Sequence, residues 1–214
     1  MDKKVIKRCE WGNNESMMAY HDNEWGLPVH DDRTLFEFII LEGAQAGLSW
    51  STILKRREGY QKAFKNFNAS KIAAFKNSDI QSLMNNSNII RNRLKINSAI
   101  SGAKAFLEIQ KEYGSFDKYI WNFVQDKPKV NKFKKMKDIP VFTNEAKELS
   151  EDLKKKGFNF VGPTICYAFM QAVGMVNDHE IDCFRWKEVQ GIISLKASCF
   201  GSKVVAGSNP ATST

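Results

Sequence analysis

The sequence predicts an all-α protein on three observations. Apolar residues recur at helical spacing in one segment after another. Gly47, Gly114, Gly157 and Gly174 stop four of those segments, and Pro163 starts one. No run alternates apolar and polar residues around hairpin turns, so no sheet is expected. With 43% hydrophobic residues and 15 Phe in 214 positions there is material for a sizeable core, which excludes disordered, collagen-like and fibrous classes.

The elements follow in order. Residues 33–45 carry Leu35, Phe36, Phe38, Ile39, Ile40 and Leu41, behind Asp31, Asp32 and Thr34 as candidate N-caps. So wide an apolar band marks a central helix. Residues 49–64 read as one or two helices with Lys55, Arg56 and Arg57 on the wet side, and residues 79–84 as a short one. Residues 94–113 are a long amphipathic helix whose inner face runs through Ile96, Ile100, Ala103 and Phe106. Residues 116–124 are short and aromatic, and residues 128–140 form a lysine-rich loop. Residues 144–156 are helical, with Leu149 and Leu153 inward and Gly157 as C-cap. Residues 163–173 form a further helix with Pro163 in its first turn.

Residues 1–190 are therefore expected to form one domain. From Gly191 onward Ser, Gly, Ala and Thr dominate without an amphipathic period, which predicts a poorly ordered extension over 191–214. Its string Val205-Ala-Gly-Ser-Asn-Pro-Ala reads like a translated tRNA arm, and so like a non-native tail.

The net charge of +8 favours a polyanionic partner, nucleic acid first, against a merely solubilising lysine surface. The longest uncharged stretch, residues 161–177, is too short and too polar to span a membrane. The first ten residues lack the apolar run of a signal peptide, so a soluble cytoplasmic protein is expected. Four cysteines in a reducing compartment do not call for a disulfide framework.

Three features can carry chemistry. Cys9 and His21 lie near one end, and His179 and Cys183, four apart, near the other. Two thiolates and two imidazoles make a closed tetrahedral zinc site, although incidental Cys and His fit the spacing equally well. Glu42 falls inside the apolar stripe of its helix, three positions after Ile39 and seven after Leu35. It is either a structural carboxylate or one facing a pocket, with Trp50, Tyr20, Trp11 and Trp25 as candidate walls. Finally, the corner at residues 157–162 leads into a helix start at Gly162 and Thr164, beside Lys154, Lys155 and Lys156. Free N–H groups there suit a phosphate, and the alternative is an ordinary helical corner with solvated lysines.

Together these strings resemble a known family. Tyr20-His-Asp-Asn-Glu-Trp-Gly26, Leu41-Glu-Gly-Ala-Gln-Ala-Gly-Leu-Ser-Trp50, Gly157-Phe-Asn-Phe-Val-Gly162 and Val176-Asn-Asp-His179 are similar to those of the DNA-3-methyladenine glycosylase I family. The resemblance implies a helix-hairpin-helix base-excision glycosylase of two helical lobes. It would act as a monomer on double-stranded DNA with alkylated bases and release free 3-methyladenine. It implies a structural Zn2+ on Cys9, His21, His179 and Cys183, and a base pocket of Glu42, Tyr20 and Trp50 lined by Trp11. Gly157, Gly162, Thr164 and Lys156 would hold the DNA backbone. Asn177 falls where most helix-hairpin-helix glycosylases carry an essential Asp, so carboxylate help to the attacking water is missing, with Asp178 as a substitute. Met17 stands where some relatives carry an aromatic.

Overall fold

The computed structural model describes residues 6–201, with side chains through Ser194. The described residues are mostly helical, as the periodicity requires. A 3-10 turn over Glu10–Asn13 leads into α1 (Glu15–Asn23), which is followed by α2 (Asp32–Gln45), α3 (Trp50–Leu54) and α4 (Arg57–Ala63). After these come α5 (Ala69–Ala73), α6 (Asn77–Asn85), the long α7 (Arg93–Tyr113) and α8 (Phe116–Trp121). The last three are α9 (Asn144–Lys155), α10 (Pro163–Ala172) and α11 (Phe184–Gly201).

Side-chain caps start most of these helices where the sequence supplies an oxygen. Asp31 accepts from Thr34 N, Asn92 from Leu94 N and Lys95 N, and Thr143 from Ala146 N. The central element is α2, in which every residue from Leu35 to Ala44 is buried, Glu37 and Glu42 included. It packs on α3, α7, α8 and α10, so the core gathers around it.

Four expectations need correction. The short helices α1 and α5 escape the apolar-period reading, because α1 turns Tyr20 and His21 inward rather than an aliphatic stripe. A sheet exists, though a minimal one: β1 (Lys129–Val130) pairs in parallel with β2 (Val176–Asn177), too short to leave an alternating pattern. The bridge ties the basic loop to the segment that carries His179. The unstructured extension expected from Gly191 is helical as far as Gly201, because Ile192 and Ile193 continue α11 beyond the fully buried Val189. Residues 202–214, where the non-native tail is expected, lie outside the described residues. Arg57, expected in water, has only 20% of its side chain exposed and joins Glu24 to Glu37 at 2.5 and 2.6 Å.

Candidate active site and metal centre

Glu42 sits on the last turn of α2 and is 3% exposed. Burial pushes its pKa up to about 8, and Oε2 is buried with no hydrogen-bond partner among the described residues. An orphaned carboxylate oxygen is costly in a core and calls for a donor from elsewhere. A second orphan lies near by in the fold. Trp50 opens α3 behind the cap Ser49; its buried indole Nε1 has no acceptor in full hydrogen-bond geometry among the described residues, and it lies toward the Tyr20 hydroxyl, where its weak donation offsets part of the upward push on that group's pKa.

Tyr20, on α1, links the two. Its ring centroid is 5.5 Å from that of Trp50 and 6.2 Å from that of Trp11. Burial holds its hydroxyl proton on, and the charge of Glu42 adds to the effect. Trp25 closes the aromatic row, edge-on to Trp11 at 5.0 Å. The structure thus brings Glu42, Tyr20, Trp50 and Trp11 together from three helices and a 3-10 turn. Sequence reasoning missed the Arg57 bridge that braces α1 against α2 behind this group. The signal available was two acids, Glu24 just past the end of α1 and Glu37 within α2, that the fold brings to one guanidinium.

At the other cluster, one donor atom each from Cys9, His21 and Cys183 lies within 4.8 Å of the others. His21 Nδ1 is 2.8 Å from Asp22, itself held by Arg8 through both carboxylate oxygens, which turns Nε2 toward the sulfurs. The hydrogen bond from Cys9, with a further one from His21, pulls the Cys183 thiol down, while Cys9 is pushed up. His179 stands against this trio, its ring edge-on to His21 at 5.2 Å. Its Nδ1 donates to Asn177 Oδ1, and its Nε2 is buried without a partner among the described residues. Burial lowers its pKa to about 3, so the ring is neutral and Nε2 carries a lone pair. Gly26, at φ +80°, makes room for it, since a Cβ there would meet His179 Cε1 at 2.7 Å. His179 thus offers a neutral imidazole beside His21, but its ring nitrogens fall outside the 4.8 Å grouping that joins Cys9, His21 and Cys183.

The corner between α9 and α10 turns at Gly157, whose φ of +102° favours glycine, and at Phe160, φ +55°. Ser150 donates to Val161 O at 2.6 Å, and Ser98 to Asn159 O at 3.0 Å, so α9 and α7 both hold the turn. Gly162 caps α10 with no side-chain bond, and a Cβ there would meet nothing. Thr164, like Lys154 and Lys155, is exposed beside it. Lys156 is not free for the hairpin: its ammonium pairs with Glu112 at 2.9 Å over the Tyr113 and Tyr119 rings. Asp178 is likewise engaged. Its carboxylate accepts from Asn131, Tyr167 and Gln171 at 2.6 to 2.8 Å, so little is left to direct a water.

Known proteins are similar to this chain in sequence and in fold. The chain is 46% identical to DNA-3-methyladenine glycosylase 1 of Escherichia coli, over 83% of this chain and 96% of that one. It is 48% identical to a DNA-3-methyladenine glycosylase of Haemophilus influenzae, over 84% and 97%. A crystal structure of 3-methyladenine DNA glycosylase I matches with a TM-score of 0.81 at 47% identity, covering 83% of this chain and 98% of that one. The Staphylococcus aureus enzyme, solved to explain 3-methyladenine recognition, matches at 0.81 and 38% identity, over 84% and 96%. Residues 10–186 fit the family model described as methyladenine glycosylase, a span that takes in the aromatic pocket, the hairpin and, of the Cys9, His21 and Cys183 trio, all but Cys9, and the chain belongs to that family.

Proposed function

We propose that this protein is a DNA repair glycosylase that extrudes and hydrolytically releases 3-methyladenine from alkylated duplex DNA. The observation that carries the reading is the pair of buried orphans, Glu42 Oε2 and Trp50 Nε1, beside Tyr20. One accepts and one donates, which is what the edge of a purine can satisfy.

N3-alkylation leaves adenine cationic, so the base is already a good leaving group and needs no protonation. Extracting it from the stack costs a few kcal/mol, less for a damaged base. Aromatic faces such as Tyr20 and Trp50 return about 0.5–2 kcal/mol each to a cation. A cationic base favours the ionised form of Glu42, whose burial otherwise keeps it protonated near neutrality. Neutral adenine gains less from either. As the N-glycosidic bond breaks, the bonding pair goes to the base, which leaves neutral. Water adds to C1′ and gives its proton to solvent. With Asp178 engaged by three donors, little general-base help reaches that water.

In this reading α9, the corner at residues 157–162 and α10 are the helix-hairpin-helix that holds the DNA backbone, in a fold of two helical lobes. Gly157 and Gly162 give close approach, Thr164 and the free N–H groups of α10 meet a phosphate, and Lys154 and Lys155 supply the charge. Cys9, His21, His179 and Cys183 would hold one structural Zn2+; the converging Cys9, His21 and Cys183 and the orphaned Nε2 of His179 beside His21 support this fourfold set. Held by these residues, such an ion would link the segments around α1 and β2 and supply a structural tie rather than a reaction centre. The protein acts as a monomer. Among the described residues no helix is long and apolar enough to cross a membrane.

Chromatography of bases released from methylated DNA tests the proposal. Free 3-methyladenine released in proportion to enzyme and time is the expected result. DNA binding without base release would leave a non-catalytic, zinc-stabilised DNA-binding protein instead.

A further inference from the structure

The walls of the base pocket come from two parts of the fold. Trp11 and Tyr20 belong to the first 3-10 turn and to α1, which pack on each other. Glu42 and Trp50 belong to α2 and α3, which do the same. Among the described residues α1 shares little backbone contact with either α2 or α3. The ring contact of Tyr20 with Trp50 therefore spans a gap between the two parts, and so does the weak donation from Trp50 Nε1 toward the Tyr20 hydroxyl. Backbone packing does not set the width of that gap, so side chains must.

Arg57, the first residue of α4, reaches across it. Its Nη1 donates to Glu24 Oε2 at 2.5 Å and its Nε to Glu37 Oε1 at 2.6 Å, with Gln61 Nε2 donating to the same Glu37 oxygen at 3.4 Å. Each arm ends about one turn from a pocket residue. Glu24 follows Tyr20 by four positions, and its N–H bonds the Tyr20 carbonyl at 2.9 Å. Glu37 precedes Glu42 by five, and the guanidinium also lies 5.3 Å from the ring of Phe38, which is one turn before Glu42. Arg57 itself follows Trp50 by seven positions. The charges of Glu24 and Arg57 both reach the Tyr20 hydroxyl, with opposite effects on its proton. A planar guanidinium holds two carboxylates at once in fixed geometry, and without it the two would face each other and repel. Other bonds keep α1 attached: Gly26 N donates to Gln171 O and Val29 N to Val173 O, both at 3.1 Å. The bridge is left to set where Tyr20 stands.

We infer that Arg57 is a positioning residue for base recognition: through Glu24 and Glu37 it holds the Tyr20 wall at the distance from Glu42 and Trp50 that a flat purine ring fills. The inference rests on the glycosylase reading for the identity of the base. Arg57 acts through these side chains alone and is no part of the hairpin surface assigned to the DNA backbone.

Two variants test it. Arg57→Met cuts both arms. Glu24→Ala cuts only the arm to α1, and because that side chain is 39% exposed the protein is expected to fold. In each, free 3-methyladenine, followed by quenching of tryptophan fluorescence, should bind about 10- to 100-fold more weakly per folded molecule, the scale of a misplaced pocket wall. On methylated duplex kcat should fall by a similar factor while KM stays with the wild type, since the hairpin is untouched. A lowered melting temperature with base affinity and kcat per folded molecule unchanged overturns the inference and leaves Arg57 a brace of the fold. A wild type that neither binds nor releases 3-methyladenine overturns the glycosylase reading instead. The near-ultraviolet circular dichroism of the Tyr20–Trp50 pair then still shows whether cutting the bridge moves one ring against the other.

Discussion

Asn177 Oδ1 lies 2.9 Å from His179 Nδ1, and Asn177 Nδ2 is bonded to Trp186 O, so the amide cannot turn over without losing that second bond. The histidine proton is thereby fixed on Nδ1 and the lone pair on Nε2. Replacing Asn177 with Ala frees the ring, and zinc affinity should fall about 10- to 100-fold. Competition with a graded chelator measures it, and an unchanged affinity would show that the amide does not orient a ligand.

The metal itself should be stoichiometric, one Zn2+ per chain. Cys183→Ala removes a sulfur from the cluster of Cys9, His21 and Cys183, and metal content and melting temperature should drop together because binding is linked to folding. Metal-free wild type of undiminished stability would contradict this.

Glu42→Gln separates recognition from structure. In the folded chain the carboxyl titrates near 8 rather than at the usual 4.5. A raised pKa contributes stability that is complete below the unfolded value and is lost as pH rises through the folded one. Wild type should therefore lose stability relative to Glu42→Gln across that window, and the variant should melt higher at pH 8 than at pH 5 when each is compared with wild type. The same variant should release 3-methyladenine about 10- to 150-fold more slowly, the value of a charge-assisted hydrogen bond. Full activity per folded molecule would assign Glu42 to structure alone.

The three lysines before the hairpin should not behave alike. Lys154 and Lys155 are exposed, whereas Lys156 pairs with Glu112. Replacing the first two with Ala should flatten the salt dependence of duplex binding by about 2. Lys156→Ala should leave that slope alone. Equal effects at all three positions would mean that the Glu112 pair opens when DNA binds.

The helices with a wide apolar band were legible in the sequence because burial imposes a period. The reading of residues 33–45 meets α2 within a residue at its start, and residues 94–113 meet α7 as closely. Glu42 was legible for the same reason: a carboxylate within an apolar stripe is an anomaly that periodicity exposes. What periodicity hides is an element whose inner face is polar. The helix α1 turns Tyr20 and His21 inward, and Arg57 is drawn half out of water by two acids that are distant from it in sequence. The engagement of Lys156 was equally invisible, since Glu112 lies 44 positions earlier and only the docking of α9 beside the end of α7 brings them together. Cys9, His21 and Cys183 could be named from residue type and resemblance, but their convergence depends on the whole fold.

That convergence has a consequence for the order of events during synthesis. His21 and Cys183 are 162 positions apart, so at ordinary elongation rates the early half of the cluster waits roughly ten to thirty seconds for the late half. During that interval Cys9 emerges without its partner thiol, open to oxidation or to capture of a stray ion. A nascent chain cut short before Cys183 can never complete the set. Assembly of the cluster therefore reports that translation has passed almost the entire span that matches the family, residues 10–186, and an incomplete chain keeps a loose end that proteases can recognise.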